Sequence, residues 1–286
     1  MTTHKHLIQC MQALGYKSND TGICLGLAQM VKQAILVDGL KEFDDRIEKI
    51  GQLSVGDFKK IAGELQKPRR ERKFSDLGIN LTPEDVTDFL AFFDGIELYF
   101  QKSQYAHLFE GKQNLSQRNT APAEAILLPT KAETGIARID SFSRVYDCDT
   151  GGIHMLLTAL TSTPPIAHDI ESISQLSQLL SALASTQATL ALCLNNFDHQ
   201  ICIGFNPKTQ EFSFTDSQSL PTRYYSAKQA QVSFQLLACD IMLALGGTIS
   251  FDLYTSGVKP ETLSPILQQI KPMILPRYSG HPTKLV

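Results

Sequence analysis

A thiol, an imidazole and a carboxylate in the order Cys24, His199, Asp216 are the residues of this chain best suited to chemistry. A free thiol titrates near about 8.5 and becomes a useful nucleophile only when its surroundings favour the thiolate. Cys24 follows Asn19-Asp20-Thr21-Gly22, a turn and helix-start cluster. An apolar run with three- and four-residue spacing then extends to Ala34, so the spacing predicts a loop entering a buried helix with Cys24 in its first turn. The positive end of the helix dipole favours an anionic sulfur there. Gly22 lets the loop come close and leaves backbone N–H groups free to face a developing oxyanion.

His199 opens an apolar strand-like run, and Asp216 ends the next one seventeen residues later. Between them Asn206-Pro207-Lys208-Thr209-Gln210 reads as a hairpin loop. Two antiparallel strands return the chain to its starting level, so Asp216 is expected beside His199, where a carboxylate fixes the imidazole tautomer. Asp198 is adjacent in sequence, but neighbouring strand residues point to opposite faces. The rival pair, Cys148 and His154, lies in a loop-like stretch where Asp147 and Asp149 flank the thiol and disfavour its anion.

Several elements must position these groups. Amphipathic helices are expected over 41–51 and 55–66, and a third opens at Thr82-Pro83 and runs to about 101. A helix over 169–183 precedes strands at 188–194, 199–205 and 211–216. A helix over 226–245 ends at Gly246-Gly247, and a last strand covers 248–254. Residues 103–134 read as a long loop, and His4 and His6 as part of a mobile N-terminus. Helices first and an antiparallel sheet afterwards make an α+β fold. A helical lobe carrying the cysteine helix packs on the sheet, with further helices flanking it. We read residues 1–254 as one domain with a helical and loop insertion at about 67–150, and 255–286 as a Pro-rich tail.

Composition narrows the function classes. Lys and Arg number 26 against 29 Asp and Glu, a formal charge of −3, which argues against a nucleic-acid binder held by phosphate contacts. The basic run 67–73 reads as a solvated loop or helix end, and Asp44-Asp45 and Glu84-Asp85 as solvated helix faces. No stretch approaches 18 consecutive apolar residues, and the first residues lack the apolar run of a signal peptide. The six cysteines contain no Cys-x-x-Cys pair, so neither a zinc site nor a disulfide framework is indicated, and the default is a reducing compartment. Cys193 and Cys202 lie in apolar runs and are expected in the core. No metal or cofactor is required by the chemistry.

Thr21-Gly22-Ile23-Cys24-Leu25-Gly26-Leu27-Ala28, the strand after His199, and Phe212-Ser213-Phe214-Thr215-Asp216-Ser217 resemble the three motif segments of papain-like cysteine proteases. The likeness is to the YopT-like bacterial effectors and covers about 35 residues. The third segment departs from the family's Asp-Pro-Asn, reading Asp216-Ser217-Gln218, and Met30-Val31 stands where an aromatic often follows. The resemblance implies a papain-like fold with Cys24 as nucleophile, His199 as base and Asp216 as orienter. It also implies an oxyanion-hole amide ahead of the cysteine, for which Asn19 is the candidate. An effector secreted into a host cell and acting on a host protein is the implied setting. Cleavage, deamidation and transglutamination share the first half-reaction. A protease-like binding module without turnover is the alternative from another class.

Overall fold

The computed structural model describes residues 3–16, 23–100, 142–146, 154–156, 166–196, 199–245 and 248–256. The fold is α+β, in three layers. Helices α1 (His4–Ala13), α2 (Ile23–Leu36), α3 (Leu40–Gln52), α4 (Val55–Leu65) and α5 (Pro83–Phe100) form one outer layer. The middle layer is an antiparallel sheet of β1 (Phe142–Tyr146), β2 (His154–Leu156), β3 (Thr189–Asn195), β4 (Gln200–Asn206), β5 (Glu211–Thr215), β6 (Arg223–Ser226) and β7 (Thr248–Ser256). Its order is β1-β7-β3-β4-β5-β6, with β2 also paired to β7. Helices α6 (Ile166–Ala184) and α7 (Ala230–Leu245) cover the far face.

Side-chain size, alternating along the strands, decides what each face of the sheet can receive. Leu190, Leu192, Leu194, Ile201, Ile203, Phe205, Phe212 and Phe214 form one core with α6 and α7. The intervening Ala191, Cys193 and Cys202 belong to the other core, with α2 and α5. Small residues on that face let a helix lie close. At Gly204 an added Cβ would meet the Ile35 side chain of α2 at 2.8 Å, and at Gly26 it would come 2.2 Å from the Ile96 carbonyl oxygen of α5. Helix α2 is therefore clamped on both sides, and twelve of its fourteen residues are buried, which accounts for its apolar character all round. Even Lys32 is buried there, donating to Gln29 Oε1 at 2.7 Å with its Nζ 4.2 Å from the centre of the Tyr254 ring.

The structure corrects several expectations. His4 and His6 belong to helix α1: Thr3 caps it by accepting from the His6 N–H, and Leu7, Ile8, Cys10 and Met11 are buried. Residues 226–229 end strand β6 and make a 3₁₀ turn, so α7 starts only at Ala230. Asp44 is no solvated acid, because it accepts from the Thr222 hydroxyl at 2.6 Å and the Tyr224 hydroxyl at 2.6 Å. Asp85 pairs with Lys49 at 2.7 Å and closes the cap of α5 with Thr82. Within the stretch read as an insertion, α5 buries Phe89, Phe92, Phe93 and Ile96 against α2, and β1 joins the sheet. The loop expected over 103–134, Cys148 and the Pro-rich tail beyond Ser256 lie outside the described residues. No helix among the described residues is long and apolar enough to cross a membrane.

Candidate active site

The first turn of α2 and the adjoining ends of β4 and β5 meet at one point. Cys24 is the second residue of α2. His199 immediately precedes β4 and is seated by Asn196, whose side-chain oxygen accepts from the His199 N–H at 2.6 Å. The Asn196 backbone N–H donates back to the His199 carbonyl at 3.0 Å. The Asn196 amide also donates to the Leu245 carbonyl, tying this corner to the end of α7. Asp216 follows β5 directly, and the antiparallel pairing of Cys202 with Thr215 brings it opposite Ile201, two residues along β4 from His199 and on the same side. Its carboxylate accepts from the Gln218 N–H at 2.9 Å, a local turn that fixes its direction.

His199 Nε2 stands 2.8 Å from Asp216 Oδ1. Cys24 lies beside the same imidazole, close enough for each group to shift the other. All three side chains are shielded, at 8% exposure for Cys24, 9% for His199 and 6% for Asp216. Burial opposes charge on both members of the Cys24–His199 pair. For His199 the Asp216 carboxylate and the thiol overcome that penalty and push the imidazole up to about 9. For Cys24, burial is outweighed by the hydrogen bond and charge of His199 and by the backbone N–H groups of Gln200 and Leu25, so its pKa falls below the ordinary value.

Two other buried cysteines are shifted the opposite way. The Cys10 thiol is pushed up to about 12 by desolvation. Cys202 is raised well above its ordinary value by desolvation and by its neighbour Cys193. Among these thiols only Cys24 is shifted toward the anion; Cys10 also meets an imidazole, His6 Nε2 at 3.5 Å, but among the described residues no carboxylate stands against that ring and burial still raises the thiol. The site can therefore hold a thiolate beside an imidazolium, the arrangement needed for nucleophilic attack followed by proton donation.

Asn19, Gly22 and Asp198 lie outside the described residues. His154 falls in β2 opposite Ser250, on the sheet's other side from β4, and Cys148 is not described. Sequence reasoning missed Asn196 and the Gln200 backbone. The paired Asn195-Asn196 before His199 was the signal for the first, since asparagine side chains bond backbone a few residues on. It also missed Ser217, buried next to Asp216, whose hydroxyl meets His4 Nδ1 at 3.0 Å. A cavity of about 200 Å³ opens at the opposite end of β4, lined by Ile35, Asp38, Asn206 and Glu211 among others. No cluster of three His, Cys, Asp or Glu among the described residues could hold a metal ion. No protein family, curated protein or solved structure matches this chain.

Proposed function

We propose that this chain is a cysteine hydrolase with a papain-like active site, acting on a protein substrate through a thioester. The reading extends to an effector of the YopT-like kind, secreted by a bacterium and acting on a host protein. Its strongest support is the buried meeting of Cys24, in the first turn of α2, with the His199–Asp216 pair, 2.8 Å apart, at the adjoining ends of β4 and β5. Cys24 attacks a carbonyl carbon as the thiolate, and the resulting oxyanion lies near backbone N–H groups at the start of α2. Asn19 is the further donor implied by the family likeness. With Nε2 engaged by Asp216, Nδ1 of His199 is the nitrogen that protonates the leaving amine. The same nitrogen then takes a proton from the water that cleaves the thioester. Asp216 keeps the ring in that orientation throughout. An amine in place of that water gives acyl transfer, and a glutamine side chain as the acyl donor gives deamidation.

Limiting iodoacetamide across pH 5–9, with mass-spectrometric mapping, tests the pair. We expect Cys24 to react first, with an apparent pKa that rises in His199→Ala. If Cys24 reacts no faster than the other five cysteines and the substitution changes nothing, the triad reading is wrong. A protease-like binding module then becomes the better account.

A further inference from the structure

Asp216 has to aim its carboxylate at His199 while sitting on a turn that leaves the sheet. Its Oδ1 accepts from the Gln218 N–H at 2.9 Å and lies 2.8 Å from His199 Nε2. The Ser219 N–H donates to the Asp216 carbonyl at 3.0 Å. Residues 216–219 are therefore one tight turn, with Asp216 as its first residue and Ser217 and Gln218 at its corner. Both hydrogen bonds of the turn end on Asp216, so a twist at the corner swings the carboxylate. Residues of such connections normally face water. Gln218 and Ser219 do, whereas Ser217 is 2% exposed and Leu220 3%.

A buried serine needs a partner, because a hydroxyl left without one is destabilising. Ser217 Oγ meets His4 Nδ1 at 3.0 Å. His4 stands in the first turn of α1, and that helix is a firm mount. Its Leu7, Ile8, Cys10 and Met11 are buried in the same core as Leu220, and His6 Nε2 lies 3.3 Å from the Ile50 carbonyl of α3. The corner of the turn is thus tied to the helical layer at two successive anchors, Ser217 and Leu220. A catalytic group keeps its aim to within about 0.5 Å only when its supporting residues are themselves locked. Asn196 gives the imidazole such support through the His199 N–H, and the buried corner gives Asp216 its counterpart.

We infer that Ser217, held by His4, is a positioning residue for Asp216, so that helix α1 aims the carboxylate that orients the imidazole. The inference rests on the hydrolase reading for its purpose, but the contact it concerns can be followed without turnover. NMR of the His199 ring protons across pH, in the full chain, is the deciding measurement. Ser217→Ala and His4→Leu each release the corner, and His199 should titrate about one unit lower in both, part of the 1–3 units that an adjacent opposite charge is worth. Cys24 alkylation by limiting iodoacetamide at pH 6 should slow by about three- to tenfold, the scale of one hydrogen bond, because a ring free to turn holds the thiolate less well. The double variant should be no worse than either single one, since both side chains act through one contact. His4→Asn keeps a polar atom near the place of Nδ1 and should restore most of both readouts. His4 is only half-buried, so His4→Leu and His4→Asn decide the matter if Ser217→Ala does not fold by circular dichroism. An unchanged His199 titration in folded His4→Leu overturns the inference, whatever the melting temperature does, because the contact then supports only the fold. Additive losses in the double variant overturn it too. Failure of the hydrolase reading looks different: Cys24 of the parent then shows no preference and His199→Ala changes nothing, while the effect of His4→Leu on the His199 titration is still measurable.

Discussion

Burial works against charge at both Cys24 and His199, and each is held toward its charged form by the other and by neighbours. The signs of the two shifts fix their pH dependence. His199 is raised to about 9, so the stability it adds is complete below its ordinary value near 6.5 and is lost as pH climbs through about 9. Cys24 is lowered, so its contribution is present above its ordinary value of 9.0 and is lost as pH falls through its folded value. For the imidazole, an upper bound of about 3 kcal/mol follows from the size of the shift. The unfolding free energy of the parent, measured in urea, should therefore fall between pH 6.5 and 9 by up to this amount relative to His199→Ala. Asp216→Asn removes the charge while keeping the shape. We expect the His199 imidazole to titrate about 1–3 units lower, as is usual when an adjacent opposite charge is lost. NMR of the ring protons reads this directly. The alkylation profile of Cys24 should move to higher pH with it, because less imidazolium remains to hold the thiolate.

Helix α2 brings the nucleophile to this imidazole, and glycine sets how close it can come. Gly26→Ala places a Cβ against the Ile96 carbonyl, a backbone atom that cannot swing aside. We expect a loss of about 1–3 kcal/mol in urea unfolding, together with slower Cys24 alkylation as α2 is pushed off its seat. Gly63 sits in α4 with nothing within 4 Å of an added Cβ, so Gly63→Ala should raise stability by about 0.5–1 kcal/mol and leave Cys24 unchanged. Helix α2 and strands β3, β4 and β5 were legible because their apolar spacing is long and bounded by turn residues. Helix α1 was hidden by its composition: three of its first four residues are His4, Lys5 and His6, and only their tertiary partners, Ser217 and the Ile50 carbonyl, give them a place. Strand β6 has four residues with two of them exposed, too short and too polar to show a period. The meeting of His199 and Asp216 could be read from one hairpin, whereas Asn196 needed knowledge of where α7 ends. The tie from Asp44 to β6 spans 180 residues, and no local pattern reports it.

At the scale of the molecule, the nucleophile belongs to the helical layer and the other two groups to the sheet, so the site exists only while the layers are docked. Two kinds of contact hold their edges. Asp44 of α3 accepts hydroxyl hydrogen bonds from Thr222 and Tyr224, and Lys208 of the β4–β5 hairpin pairs with Asp38 after α2 at 2.8 Å. The second pair is 76% and 55% exposed, a setting in which ion pairs contribute less than about 1 kcal/mol. Asp44→Ala strips two hydroxyl donors of a charged acceptor and should cost about 1–3 kcal/mol, whereas Lys208→Ala should stay within about 0.5 kcal/mol. In a domain of this size each kcal/mol moves the melting temperature by about 2–4 °C. Neither change reaches Cys24, whose position is set by the packing of α2 on β4 and α5. The preference of iodoacetamide for Cys24 should therefore persist in Asp44→Ala up to its lowered melting transition and vanish there together with the folded signal. Alkylation and circular dichroism followed along one temperature ramp make the comparison. If the preference is lost well below the transition, the edges of the layers rather than the α2 seat hold the thiol against the imidazole, and the clamp at Gly26 and Gly204 is not what aligns the site.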